Sequence, residues 1–407
     1  MFKNIKKFWL LIGTVALVGF LLIKNQSFYV DEVVHQPVAA KFCHADFTIH
    51  PNLTNIPAYH TLIAIPCALL SLLVSADSLP AFRLFSLLIS LSVLPLFYRL
   101  AVKQKDKKAK LKTLAAYLLP VSFPFFYLVY TDIPALLFVL LAWYFVVSKK
   151  YGWSGIAATI SVAIRQNNIV WLFFMVAYIF FTKYLKNFSI KKFFRFIQSI
   201  WSYILGTVAF GAFVFVNGGI SLAKAEEWAH PSFRLYFGNT YLILFYFFIL
   251  FLPLNIANFK KILIKVRKRW GLIVLLSLVG LYGFYLRDFL NTHPYNQHTF
   301  ATHNWVLVYF TQTVVKKLIF YLTIVYSIYS LWVTKLYKKM QYLIYPFTFL
   351  FLAPSWLIEP RYFIVPFTLF HLFRRPGSDK QERKLVLWQG VIAAIVFFGI
   401  ATKRFFP

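Results

Sequence analysis

Apolar runs of helix length recur from one end of this 407-residue chain to the other, with no long polar stretch between them. A bilayer core offers no water to the backbone, so such runs must satisfy their amides and carbonyls internally. Helices do this segment by segment, and the run lengths suit helices. The expected fold is an all-α polytopic membrane protein of about 12–14 transmembrane segments in one domain spanning 1–407. Candidate spans lie near 8–23, 82–98, 114–130, 133–148, 153–164, 169–182, 200–216, 239–256, 271–286, 305–333, 341–356, 362–373 and 386–400. A further stretch, 59–75, is interrupted by Pro66 and reads as re-entrant or interfacial.

Charge refines this picture. The chain has 43 Lys and Arg against 12 Asp and Glu, which invites a nucleic-acid reading. The cations, however, fall in short clusters between apolar runs: Lys103 to Lys112, Lys183 to Arg195, Lys260 to Arg269 and Arg374 to Lys384. That is the positive-inside pattern, with attraction to anionic headgroups, and nucleic acid is excluded as a partner. Lys3, Lys6 and Lys7 place the N-terminus in the cytoplasm, and 8–23 reads as a retained signal anchor. The loop 24–58 then lies on the opposite face, joined there by 217–238 and 287–304. Eight carboxylates collect on that face: Asp31, Glu32, Asp46, Asp132, Glu226, Glu227, Asp288 and Glu359. The two cysteines, Cys43 and Cys67, fit no metal motif and read as free or incidental thiols.

The adjacent acids Asp31-Glu32 follow the first span, where like charges side by side are costly. Glycosyl transfer from a lipid-linked sugar would need such acids at a membrane surface. In a helix, Asp31 and His35 share one face and Glu32 and Gln36 the next. A carboxylate beside an imidazole can serve as a general base toward a sugar hydroxyl, whereas a solvated loop is the plainer alternative. No compact ligand spacing among His44, Asp46, His50 and His60 supports a metal, so none is expected. Asp132, in Thr131-Asp132-Ile133-Pro134, is either a helix N-cap or a site residue. Arg165-Gln166-Asn167-Asn168 interrupts an apolar stretch, and the planar Arg165 fork suits a phosphate. Glu359 and Arg361, flanking Pro360, either pair together or leave Arg361 facing a phosphate leaving group. No phosphate-binding loop or dinucleotide fingerprint occurs, so no nucleotide cofactor is expected.

These residues carry a resemblance. Tyr29-Val30-Asp31-Glu32-Val33-Val34-His35-Gln36-Pro37 is followed in order by Cys43, Pro51, Thr54, Pro57 and Tyr59. Then come Tyr130-Thr131-Asp132, Arg165-Gln166-Asn167-Asn168-Ile169-Val170-Trp171, Val216-Asn217-Gly218-Gly219-Ile220 and Leu357-Ile358-Glu359-Pro360-Arg361-Tyr362-Phe363. Together the collinear blocks resemble the dolichyl-phosphate-glucose-dependent α-1,2-glucosyltransferase family, of the GT-C superfamily. The resemblance implies a GT-C-like helical bundle whose first external loop carries the catalytic acid. It implies an inverting transfer of glucose from a polyprenyl- or dolichyl-phosphate donor to a lipid-linked acceptor. Asp31 would be the base, with Glu32 and His35 orienting it or the acceptor. Asp132, Arg165, Gln166, Asn167, Glu359, Arg361 and Tyr362 would bind substrate and phosphate. The membrane would be that of the endoplasmic reticulum in a eukaryote, or the inner membrane in a bacterium. Two departures stand out: Ser221-Leu222-Ala223-Lys224-Ala225-Glu226-Glu227 replaces the family's Gly-Asp-basic-Ser stretch, and its Ala-Asp-Asn-Arg-His-Tyr motif is not recognisable around Tyr295 to Asn304. A lipid or polysaccharide transporter is the alternative from another class, and a non-catalytic assembly factor a third.

Overall fold

A computed structural model describes residues 4–71, 76–186, 189–222, 235–284, 293–297 and 304–404. Among these residues regular structure is helical, apart from a single antiparallel bridge between Leu336 and Arg374. In chain order the helices are α1 (Ile5–Ile23), α2 (Glu32–Cys43), α3 (Ala58–Ser71), α4 (Leu79–Leu91), α5 (Val93–Lys103) and α6 (Ala109–Tyr117). There follow α7 (Asp132–Val147), α8 (Tyr151–Ile164), α9 (Ile169–Ile179), α10 (Ile190–Ser199), α11 (Trp201–Asn217), α12 (Gly238–Leu250) and α13 (Leu252–Lys268). The last are α14 (Trp270–Gly283), α15 (Pro294–Gln297), α16 (Trp305–Thr311), α17 (Val314–Val333), α18 (Ile344–Leu352), α19 (Ile364–Phe373) and α20 (Asp379–Ala401). Glu226, Glu227 and Asp288, which the loop reading invoked, lie outside the described residues.

The class expected from the apolar runs is the class observed. Ile5–Ile23, Leu79–Lys103, Val314–Val333 and Asp379–Ala401 are each long and apolar enough to cross a membrane, and many of their large side chains point outward. Two further candidates are bent: α10 meets α11 at 64°, and α12 meets α13 at 95°, where Pro253 begins the second helix. Expected span 114–130 is not one helix. After α6 the chain runs through Pro120 and Pro124, makes a 3₁₀ turn at Pro124–Phe126, and stays buried to Asp132. A proline lacks the amide that continues the helical ladder, so two in five residues stop it. The 305–333 stretch is likewise split, with Thr313 capping α17 through the amide of Lys316 at 3.2 Å.

The chain divides into two compact units. The first comprises 1–103, 124–228 and 340–347, and carries the first loop and the Arg165 turn. In it α8 and α11 approach closely because Gly155 and Gly206 leave room for Ser202 and Thr159. Tyr203 donates to Ser154 Oγ at 2.6 Å across that contact. Gly218 ends α11 at φ +72°, a left-handed position that glycine adopts without a Cβ clash. The second unit comprises 104–123, 229–339 and 348–407, and carries Glu359 and Arg361.

Candidate active site

The first-loop acids separate sharply. Glu32 is the first residue of α2 and is fully buried. Its Oε1 accepts from Arg83 Nε at 3.0 Å and from the Val129 amide at 2.9 Å. Its Oε2 accepts from the Tyr29 amide at 2.9 Å and from Arg83 Nη2. A carboxylate has about four acceptor positions, so four donors saturate it. Arg83, also fully buried, further donates to the carbonyls of Ile23 at 2.6 Å, Gln26 at 2.7 Å and Ser27 at 3.2 Å. One guanidinium thereby fixes the chain leaving α1 and the start of α2.

Asp31, one residue earlier, is half-buried and takes the N-cap position of α2. The Tyr130 hydroxyl accepts from its amide at 3.0 Å and donates to the Tyr29 carbonyl at 3.2 Å. Between those contacts Val30 sits at φ +40°. A β-branched residue there is strained, and the bracket of Tyr130 and Glu32 on either side holds it. The His35 amide donates to the Asp31 carbonyl at 3.0 Å, one turn away as expected. The His35 ring meets a partner that sequence reasoning did not pair with it: Nδ1 lies 3.0 Å from Nε2 of His60 on α3, both rings buried beside Tyr59 and Tyr130.

The same two helices are joined covalently. Cys43 at the end of α2 and Cys67 on α3 form a disulfide, with Cα atoms 5.6 Å apart. This corrects the reading of incidental thiols; spacing alone cannot show that α2 runs alongside α3 in the same direction, with His35 against His60 and Cys43 against Cys67, so that residues 24 apart meet. Farther along the loop, the Thr48 amide and hydroxyl hold the exposed Asp46 carboxyl below its usual range. Its neighbour His44 lies 3.4 Å from Asp77.

The Arg165 turn completes the first unit's polar surface. Thr131, not Asp132, occupies the N-cap position of α7, without a side-chain cap bond; Asp132 is the first helical residue and forms an ion pair with Arg165. Arg165 also donates to Thr131 Oγ1 at 3.5 Å. Gln166 Nε2 donates to the carbonyls of Thr54 at 2.9 Å and Ile220 at 3.2 Å. Asn55 Nδ2 reaches the Ile164 carbonyl at 3.1 Å, and the Leu222 amide reaches Thr54 at 2.9 Å. The first loop, the Arg165 turn and the exit from α11 are therefore one hydrogen-bonded cluster. Asn167 Oδ1 is buried within it without a hydrogen-bond partner, a cost of about 1–3 kcal/mol unless something fills the position.

In the second unit Glu359 and Arg361 pair with each other across Pro360, the plainer of the two expected arrangements. Glu359 is buried, while Arg361 and Tyr362 are half-buried. Three asparagines set this strand of chain. Asn239 donates to the Ser355 and Leu357 carbonyls at 3.2 and 2.8 Å and accepts from the Glu359 amide at 3.0 Å. Asn296 exchanges two bonds with Ile358 at 2.9 and 3.0 Å, and Asn304 adds a third at 2.6 Å. Sequence reading missed Arg83, Tyr130's bridging role and Asn239. Only Arg83 carried a signal, as a lone cation in the apolar run of α4.

A helical, polytopic membrane protein with adjacent acids, one buried and one half-buried, on its first loop is the class that fold and loop define. The DIE2/ALG10 family model matches residues 25–188 and 178–372. The chain belongs to the DIE2/ALG10 family. A human relative named Dol-P-Glc:Glc(2)Man(9)GlcNAc(2)-PP-Dol alpha-1,2-glucosyltransferase is 25% identical over 436 residues, covering 93% of this chain and 90% of its own. Proteins of the same name from Arabidopsis thaliana and Rattus norvegicus are each 24% identical, covering 93% and 84% of this chain and 92% and 83% of their own. No solved structure matches.

Proposed function

We propose that this chain is an inverting glucosyltransferase that takes glucose from a dolichyl- or polyprenyl-phosphate donor. The acceptor in this reading is a lipid-linked oligosaccharide on the non-cytoplasmic face, and the linkage is α-1,2. The names of the relatives support donor and acceptor alike. The observation that carries the assignment of the base is the contrast between two neighbouring acids. Glu32 has every acceptor position filled and no exposed surface, so it orients; Asp31, half-exposed beside it, takes the proton.

In this scheme the acceptor hydroxyl loses its proton to Asp31 as its oxygen attacks the anomeric carbon. The bond from that carbon to the phosphate oxygen breaks, and the lipid phosphate leaves with the electron pair. Arg165, oriented by Asp132, stabilises the charge on that phosphate. His35 and Gln166 position the acceptor, and Asp132 and Asn167 line the substrate. The reading assigns no metal and no organic cofactor. It places the protein in the endoplasmic reticulum membrane of a eukaryote or the inner membrane of a bacterium, with the Cys43–Cys67 bond on the oxidising side.

The test is purified protein in liposomes with dolichyl-phosphate glucose and a lipid-linked oligosaccharide, the lipid products being weighed by mass spectrometry. A gain of one hexose on the acceptor is expected, and Asp31→Asn should lower its rate by about 10²–10⁴-fold with the protein still folded. Transbilayer movement of lipid without a covalent product would replace this reading with the transporter. Full turnover by Asp31→Asn would remove Asp31 as base.

A further inference from the structure

One group of the first unit's cations gathers far from Asp132. Helix α7 begins at Asp132 and ends just before Lys149 and Lys150, so its 16 residues hold the two charge types about 24 Å apart. Helix α8 returns to Arg165, and the chain after α9 comes back to Lys183, whose ammonium lies 5.1 Å from the ring of Tyr151 at the start of α8. Lys103 joins the same end through Ser148 Oγ at 2.5 Å and the Tyr144 ring at 4.9 Å. Lys186, Lys191, Lys192 and Arg195 follow. From Ile133 to Ala225 the sequence contains no Asp or Glu at all, so this stretch supplies no counter-ion of its own.

Helix α10 organises these charges. At 100° per residue, Lys191, Lys192 and Arg195 occupy one arc with Gln198 and Ser199, and Ile190, Phe193, Phe194, Phe196, Ile197 and Ile200 the other. Part of the apolar arc is used internally: Phe196 is buried against Phe180 and Tyr184, with centroids 5.1 and 5.4 Å away. The rest faces outward, with Ile190 77%, Phe194 62% and Phe193 43% exposed. The helix then turns 64° into the strongly apolar α11. Ser189 caps its start through the Lys192 amide at 3.3 Å, so the short helix is locally specified.

We infer that α10 is an in-plane helix that binds anionic phospholipid headgroups on the membrane face opposite the candidate active site. Ile190, Phe193 and Phe194 enter the acyl boundary, and Lys191, Lys192 and Arg195, with Lys183 and Lys186 beside them, contact lipid phosphates. A partner with both fatty chains and negative charge meets the two exposed arcs at once, and the 64° turn lets α11 descend from the surface.

Two measurements on the full-length protein test this. A Phe194→Cys variant, labelled with a fluorophore while the native cysteines stay disulfide-bonded, is placed in nanodiscs. Brominated acyl chains should quench the label and aqueous iodide should not; the reverse result overturns the inference. Native mass spectrometry of protein extracted from mixed phosphatidylglycerol and phosphatidylcholine should show preferential retention of phosphatidylglycerol. The variant K191Q/K192Q/R195Q should lose that preference by about five-fold for each charge removed. Equal retention of both lipids by the wild-type protein would also overturn it.

Discussion

Two buried ion-pair nodes, one in each compact unit, use the same chemistry for different ends. In the first unit Arg83 grips Glu32 and four backbone carbonyls, and the residue next to Glu32 is the half-exposed Asp31. In the second, Arg374 meets Glu382 with two parallel bonds of 2.7 and 2.6 Å, and Lys112 meets Asp106 at 2.8 Å. Lys112 also donates to the Leu372 and Arg374 carbonyls, and the Gly377 amide to Glu382. Even the exposed acid of that region, Asp379, bridges Lys108 and Arg383. The second node closes on itself and staples the chain between α19 and α20. The first immobilises one acid and leaves its neighbour at the surface, beside a strained Val30. Removing charges from water is costly in both, so the return lies in geometry rather than net stability.

Removing the two arginines in turn separates the two nodes. Arg83→Met and Arg374→Met should each destabilise by about 3–5 kcal/mol, because each strands a buried carboxylate. Thermal unfolding in detergent reads that loss, and adding Glu32→Gln or Glu382→Gln should recover part of it. Turnover per folded molecule then separates the nodes: it should collapse for Arg83→Met/Glu32→Gln and survive in Arg374→Met/Glu382→Gln. Equal activities for the two double variants would mean that Arg83 only holds the fold.

A second experiment exploits the one covalent tie. The Cys43–Cys67 bond fastens α2, which carries the first node's carboxylate, to α3, and no cysteine lies in the second unit. Closing a loop of this length stabilises by about 3 kcal/mol in the chain-entropy picture. Cys43→Ser/Cys67→Ser should lower the unfolding midpoint accordingly, and a reductant should do the same to the wild-type protein while leaving the double variant unmoved. A reductant effect in the double variant would place the sensitivity elsewhere.

The sequence revealed membrane class and motif order because both are local properties. Hydrophobic run length needs no partner, and the turns at Thr131 and Arg165 are written in polar residues between apolar segments. What was hidden depends on distance along the chain. Arg83 and Glu32 are 51 residues apart, and Val129 contributes an amide from 97 residues away. No spacing rule links such groups, so nothing local separates Asp31 from Glu32, whereas their surroundings do. The span expected over 114–130 was misread for a simpler reason: hydropathy averages over Pro120 and Pro124, whereas the backbone cannot. Asn239 had no sequence signal, since an asparagine inside a helix start reads as neutral.

The smallest effect concerns the second node alone. Lys112 lies on the short helix α6, which does not span the membrane, and burial together with Arg374 pushes its ammonium down to about 8 against the opposing pull of Asp106. The folded state therefore binds its proton less tightly than the unfolded chain, whose lysines titrate near 10.4. Between those values the unfolded chain carries more protons, so stability must rise with pH across the window and fall as pH drops back through 8. The first node has no lysine side chain among its described partners and should show no such rise. Unfolding midpoints at intervals from neutral to alkaline pH should climb less in Lys112→Met than in the wild-type protein, and the Arg83→Met variant should retain the wild-type slope. Parallel slopes for Lys112→Met and the wild-type protein would show that the closed node holds its lysine fully charged at no cost.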